Sequence, residues 1–205
     1  IAIEYNHYPA HLGSAFVDVY RRLRTQRVSY AKGTAENAML KLALNGVYGA
    51  SGDAYSVFYD SLFTMKITIH GQLLIAMLVD RLVDVSGLKV IQANTDGITM
   101  YLPRAMLTQV QTICDEWASW TRLKLEYAEY SKMFISDVNN YLAVYTDGAE
   151  TKRKGKYEHE TEWHQNASML VVPKVAEKCL VEGLPIRETV MNWPDKMDFM
   201  IRVKV

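Results

Sequence analysis

The chain has 205 residues, 49% of them hydrophobic and 22% charged, with a formal net charge of zero. That composition predicts a soluble globular protein with apolar side chains enough for one or two cored domains. It excludes several classes. No apolar run approaches the ~20 residues of a membrane helix, the longest being Leu73 to Val79, and no signal peptide is visible. Cys114 and Cys179 are far apart and out of motif, which predicts a reduced intracellular protein with neither a disulfide framework nor a cysteine metal site.

In chain order, "IAIEYN" reads as a strand-like start, and the chain closes on the equally strand-like "DFMIRVKV". Such ends, without flanking turn signals, suggest a piece of a longer protein. Ser14 is placed to cap a helix running to about Lys32 and stopped by Gly33. Thr34 caps a second helix, with Glu36 in its first turn, and the two make an αα-hairpin. "AYSVFYD" alternates as a strand, and residues from about Thr64 to Val85 form a long helix, apolar enough through "LLIAMLV" to be buried. "LKVIQANTDGITMYLP" is two β-rich runs around a tight polar turn, a β-hairpin signal. Pro103 opens a helix to about Trp120, and "LKLEYAEY", "KMFISD" and "NNYLAVYTDG" read as strands. A basic loop begins at Thr151, then come a helix near Ala167 to Val181 and shorter elements. Helices on an antiparallel sheet make the expected class α+β.

Three features could carry chemistry. On the second helix, which contains "KLALNGVYGA", Asn37, Lys41, Asn45 and Tyr48 fall within about a quarter of the circumference, with Met39, Leu40, Ala43, Leu44 and Val47 on the other side. A solvated face and a binding stripe both fit this pattern, though a solvated face usually carries several paired charges. Gly46 and Gly49 thin the same helix and suggest close approach by something else. On the preceding helix Arg21, Arg24 and Arg27 recur every three residues, and the hairpin would set them near Lys32 and Lys41. Converging cations suit a polyphosphate or a nucleic-acid backbone; a solubilising basic face is the alternative. "NTDG" places Asp96 at a hairpin tip, where Asp-Gly is good turn chemistry and also a way to present a Mg²⁺ ligand. Of the remaining candidates, His159 and His164 in "EHETEWH" suit a strand and loop better than zinc, and Trp117 and Trp120 suit a core. Glu126 and Glu129 are read on a strand as acids at a solvated edge.

Together these residues resemble family B DNA polymerases. "KLALNGVYG" is similar to their finger-helix motif, Lys-x-x-x-Asn-(Ser or Gly)-x-Tyr-Gly, and "QANTDGI" is similar to their palm hairpin, Tyr-x-Asp-Thr-Asp-Ser. "NHYPAHLG" resembles the stretch just after their first palm motif, and "DVNNYLAVYTDG" with "KRKGKYE" resembles the segment leading to the thumb. The resemblance covers essentially the whole chain and is nearest the phage-encoded branch.

The resemblance implies residues 1–13 as the trailing edge of the first palm motif, 14–50 as a helical fingers hairpin, 51–150 as palm, and 151–205 as the start of the thumb. It implies nucleotidyl transfer from a deoxynucleoside triphosphate to a primer 3′ end on primer–template DNA, with two Mg²⁺ ions, in a phage or bacterial host cytoplasm and with no membrane. Lys41 would meet the triphosphate, Asn45 and Tyr48 would line the nucleotide pocket, and Lys32 and Arg27 would be further phosphate-binding cations. Asp96 would be the catalytic, metal-holding carboxylate. Tyr141 would sit near the primer terminus, Lys154 and Gly155 would meet the duplex backbone, and Arg24 would add to DNA affinity. Asn94, Gly97 and Asn139 depart from the pattern, standing where Asp, Ser and Lys are usual. The Asp of the first palm motif would lie upstream of Ile1. The isolated fragment is therefore expected to be inactive without the N-terminal part of a polymerase. The alternative is a non-catalytic DNA-binding remnant, or one half of a split polymerase.

Overall fold

The computed structural model describes residues 1–94, 97–148, 151–160 and 167–203. The class is α+β. Two compact units divide after Leu125, within the segment expected to be palm.

The first unit begins with α1 (Ala15–Ser29) and α2 (Ala35–Ala50), packed as the expected αα-hairpin. The Thr34 hydroxyl accepts from the Asn37 N–H at 3.3 Å, so that cap forms. Ser14 occupies the preceding helix's N-cap position but its side chain caps nothing, because its backbone is already helical. α1 stops at Ser29, short of Lys32. Tyr30 is extended, and Asn37 Nδ2 reaches across to the carbonyls of Arg27 and Tyr30 at 3.1 and 3.0 Å. The Arg27 carbonyl also accepts the Tyr30 N–H at 3.2 Å, so Asn37 adds a second donor there and supplies one to the Tyr30 carbonyl, fixing the helix end before Gly33.

The buried line of α2 is Asn37, Leu40 and Leu44, and burying each leucine is worth ~1.5–3 kcal/mol. Asn37 thus belongs to the seam with α1, not to an outward polar stripe. Met39 and Ala43, expected in the core, are exposed, because the contact with one neighbouring helix is narrow.

Residues 54–60, expected as a strand, form turns. The Asp60 N–H bonds back to the Ser51 carbonyl, closing a loop that leaves Tyr55 almost fully exposed. Asp60 then caps α3 (Ser61–Leu82) through the Phe63 N–H at 2.9 Å.

Only one flank of α3 is buried. Leu74, Leu78 and Leu82 pack with Val85, Val110, Cys114 and Trp117 in the unit's core, and Trp117 Nε1 donates to the Leu74 carbonyl at 2.9 Å. Leu73 and Met77, within the run expected to be buried, face outward. By length and a hydropathy of 1.6, α3 is also, among the described residues, the one helix able to span a membrane, although scattered polar residues break its apolar run.

β1 (Lys89–Ala93) and β2 (Ile98–Tyr101) pair antiparallel as expected, with a register shift between Val90 and Gln92. α4 (Leu107–Thr121) comes after a short 3₁₀ turn at Arg104–Met106 and closes the core. Trp117 is buried as expected. Trp120 is exposed, with the Arg81 guanidinium 4.5 Å from its ring centroid. The opening residues, read as strand-like, form a turn held by the Tyr5 hydroxyl donating to the Thr121 carbonyl at 2.7 Å.

In the second unit, β3 (Tyr130–Asp137), β4 (Asn140–Tyr145) and β5 (Lys152–Lys154) form an antiparallel sheet in that order. Residues 122–129 are irregular, so "LKLEYAEY" makes no strand and Glu126 and Glu129 lie on none. The expected basic loop is instead edge strand β5, drawn into the sheet by pairing with β4. α5 (Val171–Glu182) and α6 (Ile186–Met191) pack together, and residues 196–203 are a 3₁₀ turn and irregular chain where a strand was expected.

α5 is tied to the sheet by Arg153, whose Nε and an Nη reach the Glu177 carboxylate at 2.6 and 2.9 Å, and by Lys132 Nζ donating to the Val181 carbonyl at 3.2 Å. Lys174 binds the buried Asp198 at 2.7 and 2.9 Å, and Trp193 Nε1 donates to the same carboxylate at 2.9 Å.

Candidate nucleotide and nucleic-acid site

Lys41 and Asn45 stand one turn apart on the exposed side of α2, since Leu40 and Leu44 take the seam. Among the described residues neither side chain has a hydrogen bond or ion pair within the chain. Tyr48, one turn further, is fixed: its hydroxyl shares a 2.7 Å hydrogen bond with Thr68 of α3. A cation, a carboxamide and a held aromatic ring therefore succeed one another along one helix line. Nothing lies within 4 Å of the places where a Cβ on Gly46 or Gly49 would stand, so the chain itself makes no close approach there.

The arginines do not converge. Three-residue spacing turns each about 60° from the last on a helix, and the structure uses them separately. Arg21 pairs with Asp18 at 3.0 Å. Arg24 lines a hollow of about 180 Å³ with Glu4, Arg122 and Lys124. Arg27 turns to α2, its Nε 3.5 Å from Asn37 Oδ1. Lys32 is exposed in the α1–α2 connection.

Asp96 lies outside the described residues. Its frame is described: the Asn94 N–H donates to the Gly97 carbonyl at 2.9 Å, closing the turn from β1 to β2. A Cβ on Gly97 would meet Asn94 Oδ1 at an ordinary 3.6 Å, so packing does not demand glycine there. Among the described residues no group of three or more His, Cys, Asp or Glu comes together to hold a metal. His164 also lies outside the described residues. His159 Nε2 instead meets Glu177 at 3.0 Å.

The remaining residues lie in the second unit. Tyr141, buried, is paired in register with Lys154, and Gly155 comes next with φ +61°. A Cβ on Gly155 would collide with the Asn139 carbonyl and Asn140 Oδ1. Asn140 Oδ1 is occupied in accepting the Lys156 N–H at 2.8 Å, while Asn140 Nδ2 bonds both Asp137 oxygens at 2.9 Å. Glycine is therefore needed to bring the chain across the tip of the β3–β4 hairpin.

Lys152, read from the sequence only as part of a basic run, stands beside this group. Lys152 Nζ donates to the Tyr130 hydroxyl at 3.3 Å and lies 5.8 Å from the Tyr141 ring centroid. Burial works to lower its pKa, but the Tyr130 bond and the neighbouring phenols outweigh it, so the ammonium form is favoured. Tyr130 and Tyr145 pack tilted, 5.0 Å between centroids, and burial, then Tyr130, pushes the Tyr145 phenol up. The sequence signal for Lys152 is the alternation of β4 and β5, which a reading of 151–156 as a loop hides.

No family model and no curated protein matches the chain. Among solved structures it is similar to the family B DNA polymerase of the hyperthermophilic archaeon Pyrobaculum calidifontis, with a TM-score of 0.48 and 16% identity. The match covers 89% of this chain and 25% of that one, so the chain spans about a quarter of the polymerase's length.

Proposed function

We propose that the chain is the nucleotide- and DNA-binding part of a phage-type family B DNA polymerase, acting in template-directed transfer of a nucleotide to a primer 3′ end. The observation that carries this reading is the unpaired Lys41 and Asn45 on the outward line of α2, with the held Tyr48 one turn on. In this reading Lys41 meets the triphosphate, Asn45 and the Tyr48 ring border the base and sugar, and Lys32 and Arg27 add positive charge at the start of the same helix. Lys154 and Gly155, with Arg24 elsewhere, contact primer–template DNA, and the buried Tyr141 backs that edge of the sheet. Asp96 is the metal-holding carboxylate of this reading. Bound Mg²⁺ would offset triphosphate charge there, and a second carboxylate from an N-terminal part of the polymerase would complete its holding set.

The test is titration of the chain with primer–template DNA and a deoxynucleoside triphosphate. Mg²⁺-dependent nucleotide binding is expected, weakened ~10-fold or more by Lys41→Ala, the loss of one charge-assisted contact. DNA binding without metal-dependent nucleotide binding would instead identify a non-catalytic DNA-binding module. Joined to the upstream polymerase segment, the chain is expected to extend a primer and to lose that activity on Asp96→Ala.

A further inference from the structure

The outer face of α3 is apolar and bare. Leu62, Ile69, Ala76 and Val83 recur every seven residues, all exposed, with Leu62 at 59% and Val83 at 53%. A neighbouring line, also with a seven-residue period, carries Lys66, Leu73 and Asp80, with Leu73 58% exposed. The two lines alternate at intervals of four and three, the seam spacing of two packed helices. This face lies opposite Leu74, Leu78 and Leu82, so the core of the unit does not use it.

The two charges in the seam choose the partner. Among the described residues neither Lys66 nor Asp80 has a hydrogen bond or ion pair within the chain. Each stands seven residues, roughly 10 Å along the axis, from Leu73. A second copy of α3 laid antiparallel, with Leu73 near the two-fold axis, puts Lys66 of each copy beside Asp80 of the other. Parallel packing would set Lys66 against Lys66 and Asp80 against Asp80. A charge placed in an apolar seam costs stability unless matched, so it selects orientation and register. A lipid surface is the poorer occupant, because the seam holds one charge of each sign and has no excess of cations for anionic headgroups.

We infer that the outer face of α3 is a self-association surface, through which two copies of the chain dock antiparallel with paired Lys66–Asp80 contacts. The interface is isologous and therefore closes as a dimer. It is independent of the polymerase reading, whose residues lie on other elements or on the Thr68 flank of α3.

Sedimentation of the 205-residue chain over a concentration series should show a monomer–dimer equilibrium. Lys66→Asp or Asp80→Lys alone should weaken the dimer ~10-fold or more, and the double variant should restore it, because only the exchanged pair recovers its match. In a Cys179→Ser background, Leu73→Cys should cross-link two copies, whereas Leu62→Cys should not. A chain monomeric at all concentrations, charge reversals without effect, cross-linking through Leu62→Cys, or a monomer that binds phospholipid vesicles through this face would each overturn the inference.

Discussion

At the scale of single residues, the second unit is secured by a few charged contacts whose strength varies with pH. The Lys174 and Trp193 hydrogen bonds hold the Asp198 carboxyl below its ordinary range against the opposing effect of burial. At Glu177 burial alone would raise the pKa, but the hydrogen bonds from Arg153 and His159 outweigh it and the net direction is again down. A carboxyl lowered by folding contributes stability above its unfolded value, ~3.9 for Asp, and loses it as pH falls through the folded value. Acidification below about pH 4 should therefore loosen this unit first at α5. Asp198→Asn should lower stability at neutral pH and flatten the acid limb, as measured by urea midpoints across a pH series. An unchanged acid limb would show that Asp198 is not the group responsible. Little of this was legible in the sequence: Asp198 and Lys174 are 24 residues apart, and no local pattern pairs them.

Among elements, the αα-hairpin shows what local sequence can and cannot specify. Thr34 marks the start of α2 because a cap is a contact over three residues. The end of α1 is not legible in the same way, because Asn37, ten residues beyond Arg27, supplies the terminating bonds from another helix. Asn37→Leu keeps the side chain's size but leaves the carbonyls of Arg27 and Tyr30 without these donors. It should cost ~1–3 kcal/mol, measurable by urea denaturation. The strand expected at "AYSVFYD" does not form for the related reason that alternation needs a partner strand, and the loop closed by Ser51 and Asp60 offers none. The β1–β2 hairpin does form because "NTDG" sits between two runs that can pair with each other.

Across the whole molecule, the organising fact is the division after Leu125. Residues 122–129 carry no helix or strand, and Arg122 and Lys124 are exposed there. Trypsin at low ratio should therefore cut first in this segment and yield two fragments resolvable by mass. Early cleavage inside α2 or α3 instead would contradict the division.

The sequence by itself determined the α+β class, the hairpin of α1 and α2, the pairing of β1 with β2, and the line of Lys41, Asn45 and Tyr48. Each rests on residues within one or two turns of one another, where spacing and capping act directly. Only the tertiary structure decided that Asn37 leaves that line for the helix seam, that the three arginines part company, and that Lys152 joins Tyr130 and Tyr141. It also decided that α3 turns one apolar flank into the core and the other outward. Those outcomes depend on which distant partner reaches a side chain first, and periodicity along one element carries no record of that.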